Sequence, residues 1–542
     1  MTFSRRSILA GMAALPMARG ALAQSPMGLA RGPVQPNWPS LVSNYRYPDW
    51  FRDAKLGLWA HWGPQSVPER GDWYGRFLYM QGHPMYEHHC KTYGHPTVAG
   101  MKDVQNLWTA ERWDPDALIA RYKKVGARYF MALANHHDNL DCFDSRYHAW
   151  NSLRVGPRRD VVGTWEKVAR KAGLKFGVSN HSAHSWHWYQ TGYGYDATGP
   201  NKGERYDAFK LTKADGRGQW WDGLDPRELY TGGHMVMPDG IDNIAGMNAW
   251  HDKHDGQWIE TGPTDDPAYV TRWLLRQTDL VEKYKPDLIY FDNYGLPFGS
   301  IGLEAAADYY NRSIQWSGKI DVALFAKQLK PNERFGVVQD VERGFTDHLW
   351  EEPWQTDTCL GDWFYNVARL NDKSYKTAEQ VTQRLADVVS KNGNLLLSVP
   401  QPGHGAIDSE EEKILDRLGE WTAINDEAIF GSRPWRSYGE GPTKLTPGMQ
   451  NEAGAGAFTP RDVRFTTNKG ALYVLFLGWP SGTASVASLA RGRLDGVIEC
   501  ATLLGGGPVP YRQDAAGLHF DLPRKPDGGF VPVIRLDGRG LV

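Results

Sequence analysis

A short apolar, β-prone run, Leu288-Ile289-Tyr290-Phe291, follows a helical segment and stops abruptly at a carboxylate, Asp292. The pattern recurs along the first four-fifths of the chain. Apolar stretches at 56–63, 129–134, 174–181, 335–340 and 393–399 alternate with helical periodicity at 116–126, 161–173, 269–284 and 378–392. Several of them end on polar groups: His61, then Asn135-His136-His137-Asp138, then Asn180-His181, and Glu342 just beyond Asp340. Strands that are apolar throughout and separated by helices predict a parallel sheet covered on both faces. When such a sheet closes into a barrel, the residues leaving the carboxyl ends of its strands form one mouth. The predicted fold is therefore α/β, a (β/α)8-like TIM barrel over 46–435 with some helices irregular or missing.

The remaining segments differ in character. Paired arginines, Arg5-Arg6, precede a small-residue apolar stretch and an Ala21-Leu22-Ala23 end, so 1–23 reads as a twin-arginine export signal, with the mature chain periplasmic or secreted. Residues 24–45, rich in Pro, Gly and Ser, read as an exposed leader. Periodicity is lost over about 191–265, which predicts an insertion above the barrel mouth. The last helix is expected to start with Ser409 and Glu412 in capping-box spacing and to turn Ile414, Leu415, Leu418 and Trp421 inward. From 436 to 542, short alternating runs punctuated by Gly and Pro predict an antiparallel β-sandwich domain.

Composition narrows the partners. A net charge of −2 carries no footprint for nucleic acid, and beyond the signal no segment approaches membrane length. Aromatic residues make up 12%, with 23 Trp, which suits either sugar stacking or a large core. Cys90, Cys142, Cys359 and Cys500 lack C-x-x-C spacing and specify no disulfide framework.

Two carboxylates among imidazoles and aromatics are what glycosidic cleavage requires, one at the anomeric carbon and one protonated beside the leaving oxygen. A loop cap or ion pair is the plain alternative for Asp292, and a pair with Arg343 for Glu342. Histidines cluster at His83, His88, His89 and His95 and again at His181, His184 and His187, without partners at a recognised ligand spacing. Because strand neighbours alternate faces, His136 and His137 are not expected to share an ion. No metal and no cofactor is expected.

Sequence blocks add a family. Trp50-Phe51-Arg52-Asp53-Ala54-Lys55-Leu56-Gly57, His61-Trp62-Gly63, Val67-Pro68 and Trp73-Tyr74 are similar to the opening of the α-L-fucosidases of glycoside hydrolase family 29. His136-His137-Asp138, Trp150-Asn151-Ser152, Ser390-Lys391-Asn392-Gly393-Asn394, Gly419-Glu420-Trp421, Asn425-Asp426-Glu427-Ala428 and Arg433-Pro434-Trp435 follow in the family's order. The resemblance implies a retaining exo-α-L-fucosidase acting on fucosylated oligosaccharides or glycoconjugates. By it, Asp292 is the nucleophile and Glu342 the general acid/base, with Glu351 in reserve. His61, His136, His137 and Trp73 hold the sugar, Arg334 reaches it, and Trp363 floors its methyl pocket. His181, at its own strand end, joins the sugar-binding set. Asp72 stands where many members carry Glu, Tyr290 where they carry Trp, and Gln355 where they carry Glu, which opens the choice between fucose and L-galactose. A metal-dependent barrel hydrolase and a non-catalytic carbohydrate-binding protein are the rival readings. A homo-oligomer, and a bracing or sugar-binding role for the second domain, stay open.

Overall fold

Eight parallel strands close into a barrel in the order β1 to β8, each hydrogen-bonded to its successor and β8 to β1. They are β1 (Leu56–Ala60), β2 (Tyr129–Asn135), β3 (Lys175–Asn180), β4 (Leu288–Tyr294), β5 (Ala323–Lys327), β6 (Val338–Asp340), β7 (Trp354–Cys359) and β8 (Gly393–Ser398). The structure is a computed structural model and describes residues 28–542 apart from 234, 256–265 and 455, so the export signal lies outside the described residues. Among the described residues no helix is long and apolar enough to cross a membrane.

Burial explains the closure. β1, β2, β5, β7 and β8 are buried at every position, and helices such as Pro115–Val125, Val161–Lys171 and Ala378–Ser390 cover the outside with their apolar faces. Gly57 is required where it stands: a Cβ would collide with the ring of Tyr129, which crosses the barrel so that its hydroxyl donates to Gln355 at 2.9 Å. Regularity fails on one side. Only a 3-10 turn, Glu333–Phe335, separates β5 from β6, and β6 meets β7 through the single pair Asp340↔Gln355. The helix Ser409–Ile429 is capped one residue earlier than the sequence predicts, by Asp408 with Glu411, and buries Leu415, Leu418 and Trp421 while Ile414 is partly covered.

The insertion builds short helices around a small core of Tyr195, Ala197, Met237 and Met247. It packs on the loop after β2, where Asn139 donates to the carbonyls of Glu228 and Leu229, and is pinned from within by Asp196, which accepts from Tyr86 and Tyr206.

After the barrel come β9 (Arg433–Glu440), β10 (Val463–Asn468), β11 (Ala471–Phe476), β12 (Thr483–Val486), β13 (Val497–Leu503), β14 (Gly507–Pro508), β15 (Tyr511–Gln513), β16 (Leu518–Asp521) and β17 (Val533–Arg539). They form two antiparallel sheets, ordered β14-β13-β17-β11-β10-β9 and β12-β16-β15. One apolar cluster lies between them, with Val474, Phe476 and Ile534 from the first meeting Val486, Leu518 and Phe520 from the second. The seam to the barrel is apolar with an ionic group set into it: Tyr473, Leu475 and Val533 join the barrel's apolar core, and buried Asp387, on a barrel helix, pairs with Lys391 at 2.8 Å and with Arg464 of β10 at 2.7 Å.

The leader is corrected by the structure. It is not an exposed tail: Val34, Leu41 and Tyr45 are buried, and Asn37 caps a helix at Trp38–Asn44. The helix Ser300–Ser317 presents buried polar groups that the leader backbone satisfies. Ala30 N donates to Asp308 at 2.6 Å, Val34 N donates to Asn311 at 3.1 Å, and Asn311 Nδ2 donates to Val34 O at 2.9 Å. Replacing Asn311 by Ala strands these groups in a buried site, and is expected to lower unfolding free energy by about 1–3 kcal/mol and to hasten proteolysis within 28–36. Unchanged denaturant midpoints and cleavage rates would show that the leader is not anchored this way.

Candidate active site

A cavity of about 420 Å³ opens at the carboxyl ends of the barrel strands, walled by Asp292, Glu342, Lys327, five histidines and the aromatic side chains of Trp59, Trp73, Tyr290, Tyr294 and Trp363. Asp292 faces the cavity from the same side of β4 as Tyr290, two residues before it, as strand alternation requires. Beyond Tyr290↔Phe325 the pairing of β4 with β5 resumes at Tyr294↔Lys327, so a bulge falls on 291–293. A second slip, between β2 and β3, sits at Leu133 to Asn135. There Asn135 Oδ1 accepts from the backbone N–H of His181 at 3.0 Å and fixes the start of that loop.

One cation organises the carboxylates. Lys327, the last residue of β5, donates through Nζ to Asp292 Oδ1 and, at 2.5 Å, to Glu342 Oε2. The other Asp292 oxygen accepts from His137 Nε2 at 3.1 Å, and His181 Nδ1 lies 3.0 Å from it. Burial alone would push the Asp292 carboxyl up; Lys327, His181 and His137 outweigh it and hold the pKa well below the usual carboxylate range. Lys327 is pulled down by burial, but Asp292 and Glu342 carry it well above an ordinary lysine. Beneath them Asp357 is raised to about 8 by burial and by Glu342, and Asp340 is raised by burial and by Asp357. Both carboxyls are thereby biased toward the neutral form, and Lys327 is the cation bonded to the upper pair.

Three of the histidines are biased toward the neutral form. His61, His136 and His137 are all shifted down, chiefly by burial. Gln65 donates to His136 Nδ1 at 2.8 Å, which leaves the proton on Nε2. His61 stacks on Trp363 with ring centroids 5.5 Å apart, and among the described residues neither of its buried nitrogens has a hydrogen-bond partner. Asp72 accepts from the backbone N–H of Phe364 at 2.8 Å, and burial raises it to about 7.

Of the residues singled out in the sequence, the cavity brings together Asp292, Glu342, His61, Asp72, Trp73, His136, His137, His181, Tyr290 and Trp363. Two are not there. Arg334 precedes β6 and Glu351 precedes β7, so both stand at the opposite, amino-terminal rim of the barrel; Arg334 stacks 4.2 Å over Trp350, and Glu351 is exposed. The alternation argument about the histidines also fails. β2 ends at Asn135, so His136 and His137 lie in the turn beyond it, and with His181 they form a group whose ligand atoms all lie within 4.8 Å of one another. Lys327 was readable, since Ala323-Leu324-Phe325-Ala326 ends on it just as the earlier run ends on Asp292. Asp357 was not, because its strand, Trp354-Gln355-Thr356-Asp357-Thr358, is polar.

Comparison with known proteins agrees with this architecture. A family model described as Alpha-L-fucosidase matches residues 21–427. Tissue alpha-L-fucosidase of Rattus norvegicus is 25% identical over 522 residues, covering 93% of this chain and 91% of the relative. Plasma alpha-L-fucosidase of Homo sapiens is 25% identical over 504 residues, covering 90% and 88%. Among solved structures, an alpha-L-fucosidase superposes with a TM-score of 0.67 at 23% identity, covering 93% of this chain and 99% of the other. The Thermotoga maritima alpha-fucosidase in complex with fucose gives 0.64 at 23%, covering 93% and 100%.

Replacing Lys327 by Met leaves Asp292 buried with only the histidines beside it. In the native chain a depressed carboxylate stabilises the fold above its unfolded pKa of about 4, and that contribution is lost only as pH falls through the lower folded value. In the variant burial prevails and the sign reverses, so stability falls as pH rises. The expected loss is on the order of 3–5 kcal/mol at pH 7, shrinking toward pH 4 in denaturant titrations. A gap that does not change with pH would contradict it.

Proposed function

We propose that this chain, which belongs to the alpha-L-fucosidase family and is a glycoside hydrolase, releases terminal α-L-fucosyl residues from glycans by double displacement with retention. The observation that carries the reading is the shared ammonium. With an oxygen of Asp292 and an oxygen of Glu342 both bonded to Lys327 Nζ, the two oxygens stand no more than about two hydrogen-bond lengths, ~6 Å, apart. That closeness of two of their oxygens suits the roughly 5–5.5 Å between the carboxyl groups of retaining enzymes.

Each group then has a part. Asp292, held ionised, attacks the anomeric carbon as the bond to the leaving oxygen breaks. Glu342 accepts from Lys327 through Oε2, so Oε1 is the atom that carries the proton to that oxygen. In the second step Glu342 takes a proton from water, and the hydroxide attacks the same carbon and releases Asp292. Neutral His136, with its proton on Nε2, and His61 are suited to the sugar hydroxyls, and Trp363 to an apolar ring face. Export through the twin-arginine route belongs to the same proposal and rests on Arg5-Arg6 and the segment after them.

Replacing Asp292 by Gly is expected to abolish turnover of an aryl α-L-fucoside, with added azide restoring β-L-fucosyl azide, the product of attack from the vacated face. Replacing Glu342 by Ala is expected to cost on the order of 10²–10⁴-fold on natural glycans, and azide then yields the α-azide. Product anomers read by NMR decide; an active Asp292→Gly enzyme refutes the assignment. The three-histidine group is the observation behind the rival, metal-assisted reading. Activity that survives prolonged chelation is expected here, and activity lost to a chelator and restored by zinc would favour the rival.

A further inference from the structure

Glu342 lies two residues past the shortest barrel strand, and on one side Val341 N and Arg343 N still donate to the Gln355 and Asp357 carbonyls of β7, at 2.9 and 3.0 Å. Its other side is held by the second domain. The segment between β9 and β10 runs back to the mouth and pairs with the Glu342 loop as an added strand would. Gly448 N donates to Phe345 O at 2.9 Å and Phe345 N donates to Gly448 O at 3.1 Å, while Gln450 N donates to Glu342 O at 2.9 Å and Glu452 N donates to Arg343 O at 3.0 Å. The approach is close enough that a Cβ on Gly344 would collide with the carbonyl of Gly448.

An ionic anchor fixes this strap. The Glu452 carboxylate accepts from Thr358 Oγ1 at 2.9 Å and sits 3.3 Å from Lys376 Nζ and 3.4 Å from Arg343 Nε, with only 13% of its side chain exposed. Burial raises its pKa, but Arg384 and Lys376 outweigh that and keep it ionised. Two residues before the anchor, Gln450 is exposed, lines the cavity beside Glu342, and has a φ of 56°, in the left-handed region. Arg343 (φ 42°) and Trp73 (φ 66°), both also lining the cavity, share that region. Non-glycine residues hold such angles only where their surroundings impose them. Among the described residues no protein group hydrogen-bonds the Gln450 side-chain amide.

Resting on the proposed acid role of Glu342, the geometry points to Gln450 as part of the leaving-group subsite, a second-domain residue that reads hydroxyls of a sugar aglycone, with Glu452 as its positioning residue. The acid must stand beside the departing oxygen, so the rim next to it faces the leaving group and not the sugar being cleaved off. A primary amide offers a donor and an acceptor side by side, the pattern that matches neighbouring hydroxyls. The strap thus makes the second domain a wall of the active site.

The test compares kcat/KM on a fucosylated oligosaccharide with kcat/KM on a small aryl α-L-fucoside that lacks sugar hydroxyls in its leaving group. For Gln450→Ala the oligosaccharide-to-aryl ratio is expected to fall roughly 3- to 10-fold, the effect of one net hydrogen bond, mainly through KM for the oligosaccharide. Glu452→Gln is expected to lower the same ratio, while Gln450→Asn recovers part of it. A ratio unchanged in Gln450→Ala overturns the inference, as does a loss equal on both substrates. Failure of the unmodified enzyme on every fucoside would instead refute the proposed function, so the two outcomes separate.

Discussion

A single buried ammonium between two carboxylates is the constraint on which the site depends. Lys327 sits at the end of β5, 6% exposed, with Asp292 on one side and Glu342 on the other. An ammonium and a carboxylate this far from solvent are tolerable only because each is paired and hydrogen-bonded. Burial pushes Asp340 and Asp357 below them toward the neutral form. The same arrangement sets the distance between the carboxyls and keeps Asp292 ionised, so geometry and electrostatics have one origin.

Barrel closure supplies the frame, and the carboxyl ends of its strands supply the chemistry. Lys327, Tyr290 and Asp357 reach the mouth from regularly paired positions. Asp292 and the histidine turn lie where the ladder slips, between β4 and β5 and again between β2 and β3. Around β6 the strand is short, and the loop that carries Glu342 is held between the β7 carbonyls of Gln355 and Asp357 on one side and Gly448, Gln450 and Glu452 on the other. Stability of the second domain and precision at the mouth are therefore linked through the strap and through the Asp387–Arg464 seam.

Particular residues show what a linear reading can reach. Asp292, His61, His136 and His137 were legible because each follows an apolar run, and the direction of the chain says which end of the barrel such a residue occupies. The same rule, applied strictly, would have recovered Lys327 and rejected Arg334 and Glu351, which precede their strands and so fall at the opposite rim. Asp357 escaped notice because its buried strand is polar, with Thr356 and Gln355 bonded across to Val341 and Asp340. The leader misled for a related reason: its Pro, Gly and Ser suggest exposure, yet its backbone pairs with Asp308 and Asn311 of a distant helix.

By itself the sequence determined the barrel, the change to an antiparallel second domain and most of the residues at the mouth, because burial periodicity and strand direction are local properties. Only the tertiary structure decided that one lysine joins the two carboxylates, that three histidines from two loops meet, and that Gln450 arrives more than a hundred residues after Glu342 to stand beside it. Those are contacts between segments far apart in the chain. Their geometry depends on register slips and on how the two domains dock, and no local pattern of residues records either.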